Sequence, residues 1–566
     1  MSRRDASAFA RGLVFAVLAV ATPFTSAHAA NIVIVNSDGA GEGFNDPTPA
    51  APVGGNSGTT VGQQRLIVFQ TAANIWGALL PGTQTVAVNS QFNALTCSST
   101  SGVLGSAGPA SITANFTGAE FFGYWYNIAL ANKQANSDLN GASAEINANF
   151  NSSVGLTGCL DGSSWYYGLD HVQGPAGIDL LVVILHEMGH GLGFLTVTDG
   201  SSGNFASGLP SLWDRFLLDE STGLHWDQEN ATQRAASAIS AGGLAWDGKA
   251  TNFMAPITMS KRPIVHVTAP VGIAGDYPAA ASSFGPVPGI PGVTGQVVLA
   301  VDNSAPTGDG CSAFTNAVAM NGRIAFVDRG NCTFVTKAQN AQAAGAVGLI
   351  IANNTSGLSG PGGWGPGITI PVVMISQADG NTLRAQLAGG VTATLTVDPG
   401  HLAGVHDPDN RMLMYAPNPY QGGSSVSHWD TSAFPNLLME PSINTDLSSS
   451  VDMTRYLFED IGWFPRTTDA PLPDGRPVTF AASPNPFVAG TTVRFVLARS
   501  GLVDLTLYDV GGRVVRHLAR NWMPAGTHVL GWDGVTDGGA PTPAGVYLAR
   551  LKGPDGGATA RVVRVR

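Results

Sequence analysis

The stretch His186-Glu-Met-Gly-His-Gly-Leu-Gly-Phe-Leu-Thr196 carries the strongest structural signal in this chain. It contains the pattern H-E-x-x-H, followed three residues later by Gly193. On an α-helix His186 and His190 lie on one face, so both imidazoles can reach one Zn²⁺, with Glu187 beside the ion as a general base. The alternative is two ordinary core histidines on an amphipathic helix. The flanking glutamate and downstream glycine favour the zinc site.

Several elements are predicted around this pattern. Residues 178–185 are apolar enough to form a buried helix, which would hold the histidines on a rigid element. Helical spacing also appears over residues 65–80, and an aromatic-rich helix is predicted over 121–131. Residues 145–150 alternate polar and apolar side chains and predict a strand. As an edge strand, it could pair with an extended peptide.

Length and composition indicate a large extracellular protein. The chain has 566 residues, enough for three or four domains. Charged residues make up only 12%, whereas glycine (72) and proline (35) are abundant, a mixture typical of loop-rich exported proteins rather than disordered ones. The net charge of −11 and the lack of long basic runs argue against nucleic acid as a partner.

The amino-terminal residues 1–29 are predicted to be a secretory signal peptide. Arg3, Arg4 and Arg11 supply a positive region, and residues 12–21 form a short apolar stretch. Ala27-His28-Ala29 fits a cleavage site with small residues at both ends. No later segment is long and apolar enough to cross a membrane, so we expect a secreted mature chain without a transmembrane segment.

Four cysteines are compatible with two disulfides. Because an exported chain meets oxidising conditions, an even number of cysteines suggests pairing. Nearest neighbours would pair as Cys97 with Cys159 and Cys311 with Cys332, one bond in each of two predicted domains. No C-x-x-C pair occurs, which argues against a structural zinc knuckle.

Residues 265–398 have a β-α-β pattern with further strands after it. Within them, Gly322-Arg-Ile-Ala-Phe-Val-Asp-Arg-Gly-Asn-Cys-Thr-Phe334, Lys337, Ala344-Gly-Ala346 and Asn353-Asn354 closely resemble the protease-associated (PA) domain. The resemblance implies an α/β domain without catalytic residues that acts in substrate access or partner binding.

Short strands separated by turns predict an all-β sandwich over residues 477–566, after a linker at 464–476. The tail also differs in charge, with eleven Lys or Arg against six Asp from Pro471 onward. It resembles the immunoglobulin-like module of flagellar hook-assembly scaffold proteins through the residues Pro484-Asn-Pro-Phe487, Tyr508-Asp-Val-Gly-Gly-Arg-Val-Val515, Pro524-Ala-Gly-Thr527, Trp532-Asp-Gly534 and Gly545-Val-Tyr547. The resemblance implies a secretion signal, a surface attachment or a spacer.

The pattern H-E-x-x-H supplies two ligands, whereas a catalytic zinc usually takes three and leaves one position for water. The usual third histidine, six residues after the second, is replaced by Thr196, which is a poor ligand. A histidine elsewhere could serve, and His225 and His428 both occur as His-Trp-Asp. A carboxylate from Glu220 or Asp214 is a further candidate.

The context of His428 resembles the leishmanolysin family of metzincins. His428 lies in Gly423-Ser-Ser-Val-Ser-His-Trp-Asp430, and Met439 follows eleven residues later. In that family an inserted segment separates the helix motif from the third histidine, which precedes a turn carrying a methionine. The resemblance implies an α+β metzincin domain in two parts, residues 30–264 and 399–463, with the PA domain inserted between them. It assigns the ligands His186, His190 and His428, the base Glu187 and the turn residue Met439.

Taken together, these patterns predict a secreted zinc endopeptidase that acts on proteins or peptides. An inactive binding or adhesion protein built on the same modules is an alternative, although an intact Glu187 argues against it. A zinc hydrolase of non-peptide amides is a second alternative, which the PA resemblance disfavours only by association. Calcium could also bind, because Asn36-Ser-Asp-Gly39 and Asp407-Pro-Asp-Asn410 offer oxygen ligands, although such sequences are commonly turns.

Overall fold

The structure is a computed structural model that describes residues 29–355, 357–464, 480–488, 490–497, 501–524, 526–554 and 556–565. The predicted signal peptide and linker lie almost entirely outside these residues. Within the described ranges, no helix has both the length and the hydrophobicity that a membrane crossing requires. The described residues form several separate hydrophobic cores along the chain.

The first core is built on a four-stranded mixed sheet. The elements before the PA region are β1 Asn31–Asn36, α1 Val61–Leu79, β2 Thr85–Asn93, β3 Gly105–Pro109, β4 Ile112–Thr113, β5 Tyr126–Asn127, α2 Ile128–Ala135, β6 Ile146–Asn151, β7 Ser164–Tyr166, β8 Gly177–Asp179, α3 Leu180–Leu192, β9 Leu217–Asp219, β10 Leu224–His225, α4 Ala231–Ser237, β11 Leu244–Trp246 and α5 Lys249–Thr258. The strand order is β1-β2-β6-β3. Strands β1, β2 and β6 are parallel to one another, and β3 pairs antiparallel with β6. Helices α1 and α3 pack against this sheet, and the Trp76 indole donates to the Leu185 carbonyl at 3.0 Å.

Two local predictions differ from this arrangement. Strand β6 is an inner strand, because β2 and β3 pair with its two sides, so the free edge belongs to β3. The predicted helix over 121–131 begins only at Ile128, since the Asn127 side chain caps it by accepting from the Leu130 N–H. Gly123, at φ +86°, lies in the non-helical chain before that cap.

A second sheet brings distant parts of the chain together. The chain returns after the PA region as β19 Val405–His406, β20 Arg411–Leu413 and α9 Thr454–Asp460. Strand β20 pairs antiparallel with β11, which gives the order β10-β9-β11-β20-β19. The start and end of the inserted region also meet, because the Ala403 N–H donates to the Ser260 carbonyl at 3.0 Å. A long excursion of the chain therefore begins and ends at one place on this core.

The excursion is a closed seven-stranded barrel with helices outside it. Its elements are β12 Lys261–Ala269, β13 Gly275–Ala281, β14 Val293–Leu299, α6 Ala317–Met320, β15 Ile324–Asp328, α7 Phe334–Ala343, β16 Gly348–Ala352, β17 Val372–Ile375, α8 Gln377–Gln386 and β18 Val391–Leu402. The strand order is β12-β13-β17-β16-β15-β14-β18. Strand β16 is buried along its whole length, as expected for a parallel strand covered on both faces.

The tail is a sandwich of a three-stranded and a four-stranded sheet. Its strands are β21 Phe480–Ser483, β22 Thr491–Leu497, β23 Gly501–Asp509, β24 Val514–Met523, β25 Gly526–Trp532, β26 Gly545–Gly553 and β27 Gly556–Arg564. The sheet orders are β21-β22-β25 and β24-β23-β26-β27, around a core that includes Trp532 and Phe495. The sequence did not predict β24, whose side chains are mostly half-buried or exposed and lack a clear apolar alternation.

Both expected disulfides are present. Cys97 is bonded to Cys159 and Cys311 to Cys332, and no described cysteine is free. The first bond joins the segment before β3 to the loop before β7. The second lies within the barrel, beside the buried Lys337, whose ammonium donates to the Gly330 carbonyl at 2.7 Å.

Asp460 at the end of α9 joins the two parts of the first core. Its buried carboxylate accepts from Ala250 N–H at 2.7 Å, Thr251 Oγ1 at 2.6 Å and the Trp246 indole at 3.2 Å. We expect Asp460→Ala to lower the free energy of unfolding by about 3 kcal/mol, because each buried donor left without a partner costs roughly 1–3 kcal/mol. The matching fall in the melting temperature of that core is roughly 5–10 °C.

Differential scanning calorimetry of the full chain measures this change. Asp460→Asn is the matched control, since it keeps the volume and one acceptor and should lose less stability. Equal melting temperatures for Asp460→Ala and the wild type would contradict the assigned role.

Candidate metal centre

Helix α3 holds two of the predicted ligands inside the core. The helix begins after Asp179, whose carboxylate accepts from the Leu181 N–H at 2.9 Å, and every one of its 13 residues is buried. It ends at Gly193, with φ +125°, where a Cβ would lie 2.4 Å from the Asn127 amide nitrogen. The glycine therefore allows the chain to leave the helix where Asn127 packs closely.

The glycines within the motif are required by close packing. A Cβ on Gly189 would lie 2.7 Å from Met439 Sδ, and one on Gly191 would lie 2.4 Å from Ile146 Cγ2. The helix is thus in direct contact with the sheet on one side and with Met439 on another. This contact explains why weak helix formers occur in its last turn.

His428 reaches the helix from the returning part of the chain. Its backbone carbonyl accepts from the Tyr415 N–H at 2.9 Å, and the Val426 N–H donates to the Tyr415 carbonyl at 2.8 Å. Val426 has φ +61°, a left-handed conformation that β-branched residues rarely adopt. The Trp213 indole stabilises this turn by donating to the Val426 carbonyl at 3.1 Å. The backbone before His428 is therefore held in a strained, well-supported turn.

The three imidazoles meet at their Nε2 atoms. The distances are 3.2 Å between His186 and His190, 3.2 Å between His190 and His428, and 3.3 Å between His186 and His428. All three side chains are buried. In the part of the chain that the structure describes, no other group of three His, Cys, Asp or Glu residues converges in this way.

Each imidazole is oriented by a backbone carbonyl. The Nδ1 atoms of His186, His190 and His428 lie 2.6, 2.8 and 2.8 Å from carbonyl oxygens, which belong to Leu438, Phe194 and Ser424. Since a carbonyl can only accept, each Nδ1 carries the hydrogen and each Nε2 presents its lone pair to the common centre. Burial lowers the pKa of His186 to about 3 and that of His190 to about 4, and holds the pKa of His428 well below its usual value.

This donor set fits a zinc ion. Tetrahedral nitrogen ligands at the usual Zn–N distance of 2.0–2.1 Å are about 3.3–3.4 Å from one another. The three observed separations agree with that spacing. Neutral imidazoles with aligned lone pairs are the preferred form for zinc binding.

Met439, in the turn 437–440, contacts α3 between His186 and His190. Its side chain is fully buried, and its sulfur packs against the backbone of Gly189. In the same turn, the Leu438 carbonyl orients His186, and the Leu438 N–H donates to the Asp452 carboxylate at 2.5 Å. Burial raises the pKa of Asp452 to about 6. Asp452 thus helps to hold the peptide that orients a candidate ligand.

The Glu187 side chain extends from α3 toward β3, the edge strand of the sheet. A Cβ on Gly105 of β3 would approach Glu187 Cγ to 3.1 Å, and the Ala107 N–H donates a hydrogen bond to the carboxylate. Burial raises the pKa of Glu187 to about 8, although this hydrogen bond opposes the shift. Glu187, next to His186 in the chain, therefore lines the same cleft as the three imidazoles and holds its proton more tightly than an ordinary carboxyl group.

The rival ligands have other partners. Asp214 accepts from Thr196 Oγ1 at 2.7 Å and from Ser211 N–H at 2.7 Å. Glu220 pairs with Arg411 at 3.2 Å, and His225 Nε2 lies 3.2 Å from an Asp247 oxygen. None of these three candidates belongs to the convergent group.

Acidic residues of the two suggested calcium-binding segments are bonded to other groups of the protein. The Asp38 carboxylate accepts from two backbone N–H groups, those of Phe44 and Phe92, each at 2.8 Å. Asp409 pairs with Arg411 at 2.9 Å. Calcium binding stays a prediction from sequence that these contacts do not favour.

The imidazole cluster opens into a cleft of about 980 Å³. One side is formed by residues 100–107, and the others by residues 173–183, 195–198, 420–428 and 441–445. Among the described residues that line it there is no lysine or arginine. Besides Glu187, its one lining carboxylate is Asp179, which already caps α3 and lies 2.7 Å from His171 Nδ1.

The free backbone groups of β3 face this cleft. Leu104 and Ala110 bond toward β6, through the Asn151 N–H and the Glu145 carbonyl. Because bonding alternates along an antiparallel strand, the N–H and C=O groups of Gly105 and Ala107 point away from β6. Of these groups, the Ala107 N–H is bonded to the Glu187 carboxylate. The free edge of this sheet is therefore β3 and not, as the sequence had suggested, residues 145–150. The sequence Gly-Ser-Ala-Gly-Pro gave no strand signal.

Comparisons with known proteins identify two modules. Residues 293–383 match the PA domain, and residues 489–557 match the FlgD Ig-like domain. The chain therefore contains both, as the sequence predicted. Neither match includes α3 or His428.

Individual relatives match only in part. The chain is 40% identical over 75 residues to the minor extracellular protease Vpr of Bacillus subtilis, covering 13% of this chain and 9% of the relative. It is 36% identical over 135 residues to leucine aminopeptidase 2 of Arthroderma otae, covering 23% and 26%. An α-mannosidase-like protein of Xenopus laevis also matches, at 36% over 84 residues, so the relatives differ in their named activities. Since the chain covers at most about a quarter of these relatives, its own activity must be argued from the site.

Solved structures show the same partial similarity. A zinc aminopeptidase from Bacillus subtilis is 27% identical with a TM-score of 0.18, covering 25% of this chain and 31% of that protein. FlgD from P. aeruginosa is 26% identical with a TM-score of 0.11, covering 13% and 58%.

His428→Ala tests the distant ligand. We expect zinc affinity to fall by more than about 100-fold, because two imidazoles cannot replace a three-ligand site. Metal content after dialysis against a competing chelator measures this loss. His225→Ala is the matched control, since His225 also precedes Trp-Asp, and it should keep its zinc. Zinc retention by His428→Ala, or zinc loss from His225→Ala, would reassign the ligand.

Proposed function

We propose that this chain is a secreted zinc endopeptidase with a metzincin-type catalytic part, residues 30–264 and 399–463. The observation that supports the proposal most strongly is the contact of Glu187 with the edge strand β3, in the cleft that the three imidazoles also line. A metal, a base and a peptide-pairing edge at one place are the components that peptide hydrolysis requires. His186, His190 and His428 are the proposed ligands.

The proposed substrate position follows from β3. An extended peptide would add to the sheet through the N–H and C=O groups of Gly105 and the C=O group of Ala107, since the Ala107 N–H is bonded to Glu187. Glycine and alanine leave room for the peptide backbone to approach, and Glu187 lies directly below them. The scissile carbonyl would then lie over Glu187 and the three imidazoles.

In the proposed reaction Glu187 moves the proton. A zinc ion held by three neutral ligands supplies Lewis acidity and lowers the pKa of bound water. The Glu187 carboxylate accepts the water proton during attack and later gives it to the leaving amine nitrogen. A nearby cation favours the ionised form of a buried carboxyl, which prepares Glu187 to act as a base. The carbonyls of Leu438, Phe194 and Ser424 keep the ligands in the correct tautomer throughout.

The shape and charge of the cleft favour cleavage within a chain. The cleft, of about 980 Å³, is lined by residues 441–445 and by residues 420–425 as well as by the imidazole cluster. No lysine or arginine among the described lining residues is available to bind a terminal carboxylate. Asp179, the one lining carboxylate apart from Glu187, is already occupied and so is a poor receptor for a terminal ammonium. Aminopeptidase activity, named for some relatives, is therefore the less favoured specificity.

The remaining features agree with an exported enzyme. Two disulfides are typical of proteins that fold under oxidising conditions. We propose that the FlgD Ig-like domain attaches the protein to a surface or separates it from one.

Glu187→Gln tests the proposed chemistry. We expect peptide cleavage to fall by about 10²–10⁴-fold, because an amide cannot accept the proton. Zinc content should stay unchanged, since Glu187 is not one of the converging ligands. The assay measures casein cleavage with and without a chelator. Wild-type activity in the variant would refute the base, and an inactive wild-type protein that binds zinc would favour the binding-protein alternative.

Blocked peptides test the mode of cleavage. We expect the enzyme to cut peptides that are acetylated at the amino end and amidated at the carboxyl end, because the cleft has no free charged group to recognise a terminus. Mass spectrometry identifies the products. The same peptides with free termini serve as controls. Cleavage of the free peptides alone, one residue at a time, would show an aminopeptidase instead.

A further inference from the structure

A glycine-rich loop of the inserted barrel contacts the part of the chain that contains the metal centre. Residues 357–367, Gly-Leu-Ser-Gly-Pro-Gly-Gly-Trp-Gly-Pro-Gly, connect β16 to β17, and we call them the glycine loop. This loop lies against residues 431–445, the segment that follows His428 and includes the methionine turn. The inserted domain is therefore in contact with the segment that completes the metal centre.

Two threonine hydroxyls make matching hydrogen bonds to the glycine loop. Thr445 Oγ1 donates to the Gly363 carbonyl at 2.8 Å, and Thr431 Oγ1 donates to the Leu358 carbonyl at 2.8 Å. Ser283 of the barrel extends the first contact: its hydroxyl lies 3.4 Å from Thr445 Oγ1 and accepts from the Gly363 N–H at 3.2 Å.

The glycine loop is held tightly on the barrel side. A Cβ on Gly360 would lie 2.6 Å from the Ala281 carbonyl oxygen, and one on Gly363, at φ +143°, would lie 2.7 Å from Val335 Cγ2. The loop can therefore lie this close to the barrel only because it lacks side chains at these positions. The barrel surface therefore determines where the Gly363 carbonyl lies, and this carbonyl is bonded to Thr445.

Thr445 differs from Thr431 in one respect. Thr445 lines the cleft, whereas Thr431 does not. The Thr445 carbonyl also accepts from the Gln173 side-chain amide at 3.3 Å, and Gln173 lines the same cleft. The hydrogen bond from Thr445 to the insert thus supports a wall of the cleft, while the bond from Thr431 supports only the attachment of the insert.

We propose that Thr445 is a positioning residue through which the PA domain sets the shape of this cleft wall and thereby selects substrates. The inference rests on the proposed endopeptidase function and specifies how the insert takes part in it. Its effect is confined to peptides that reach the part of the cleft lined by residues 441–445. Peptides too short to reach these residues are unaffected.

Thr445→Val and Thr431→Val form a matched pair for the test. Each removes one hydroxyl donor and keeps the shape of the side chain. With long blocked peptides, we expect Thr445→Val to raise KM about three- to tenfold, the effect of one lost hydrogen bond, and to leave kcat within about twofold. Thr431→Val should change neither constant, and Thr445→Ser should restore the wild-type KM. Zinc content should be equal in all of them.

Several outcomes would overturn the proposal. Equal KM values for the two valine variants, or an equal change with short and long peptides, would show that Thr445 has no role in selection. A fall in kcat together with zinc loss would show a structural role instead. Calorimetric titration of zinc-loaded Glu187→Gln with the long peptide, with and without Thr445→Val, measures binding independently of turnover. Weaker binding with Thr445→Val would support the inference even if the wild-type protein cleaved nothing, an outcome that would defeat only the proposed function.

Discussion

The pairing of β11 with β20 is the constraint on which the rest of the candidate site depends. His190 and His428 are 238 residues apart, yet their Nε2 atoms lie 3.2 Å from each other. The pairing closes the chain after its excursion into the barrel and fixes the direction in which residues 411–439 return. The Asp460 carboxylate strengthens the closure from the end of the catalytic part. An inserted domain can be accommodated because its first and last strands leave and re-enter at neighbouring positions.

The site residues that are close together in sequence could be predicted from it, whereas those that meet through long-range contacts could not. His186, Glu187 and His190 are recognisable because helical spacing alone places them together. The placement of His428 depends on long-range pairing, so residue chemistry left it among four candidates and only a family resemblance singled it out. The role of β3 could not be foreseen, because Gly-Ser-Ala-Gly-Pro lacks the branched and aromatic residues that mark strands. The carbonyls that orient the imidazoles belong to the backbone, and no side-chain pattern reveals them.

The same distinction applies to the larger units. The PA and FlgD Ig-like modules carry enough local sequence signal to be recognised by themselves. The helix over 121–131 was placed too early, because a capping Asn127 determined its start more strongly than the aromatic spacing before it. The relatives that match part of the chain have different named activities, from a protease to an α-mannosidase-like protein. A partial match therefore does not define the chemistry, which has to be derived from the candidate site itself.

The separation of the imidazoles along the chain has a consequence for biosynthesis. A polypeptide made from its amino end contains only two of the three imidazoles until residue 428 has been added, and Met439 follows later still. The incomplete polypeptide thus contains only two of the three proposed ligands, and these bind a metal ion much more weakly than the complete set. In the proposed enzyme, the order of the residues along the chain therefore delays the complete ligand set until residue 428 has been added.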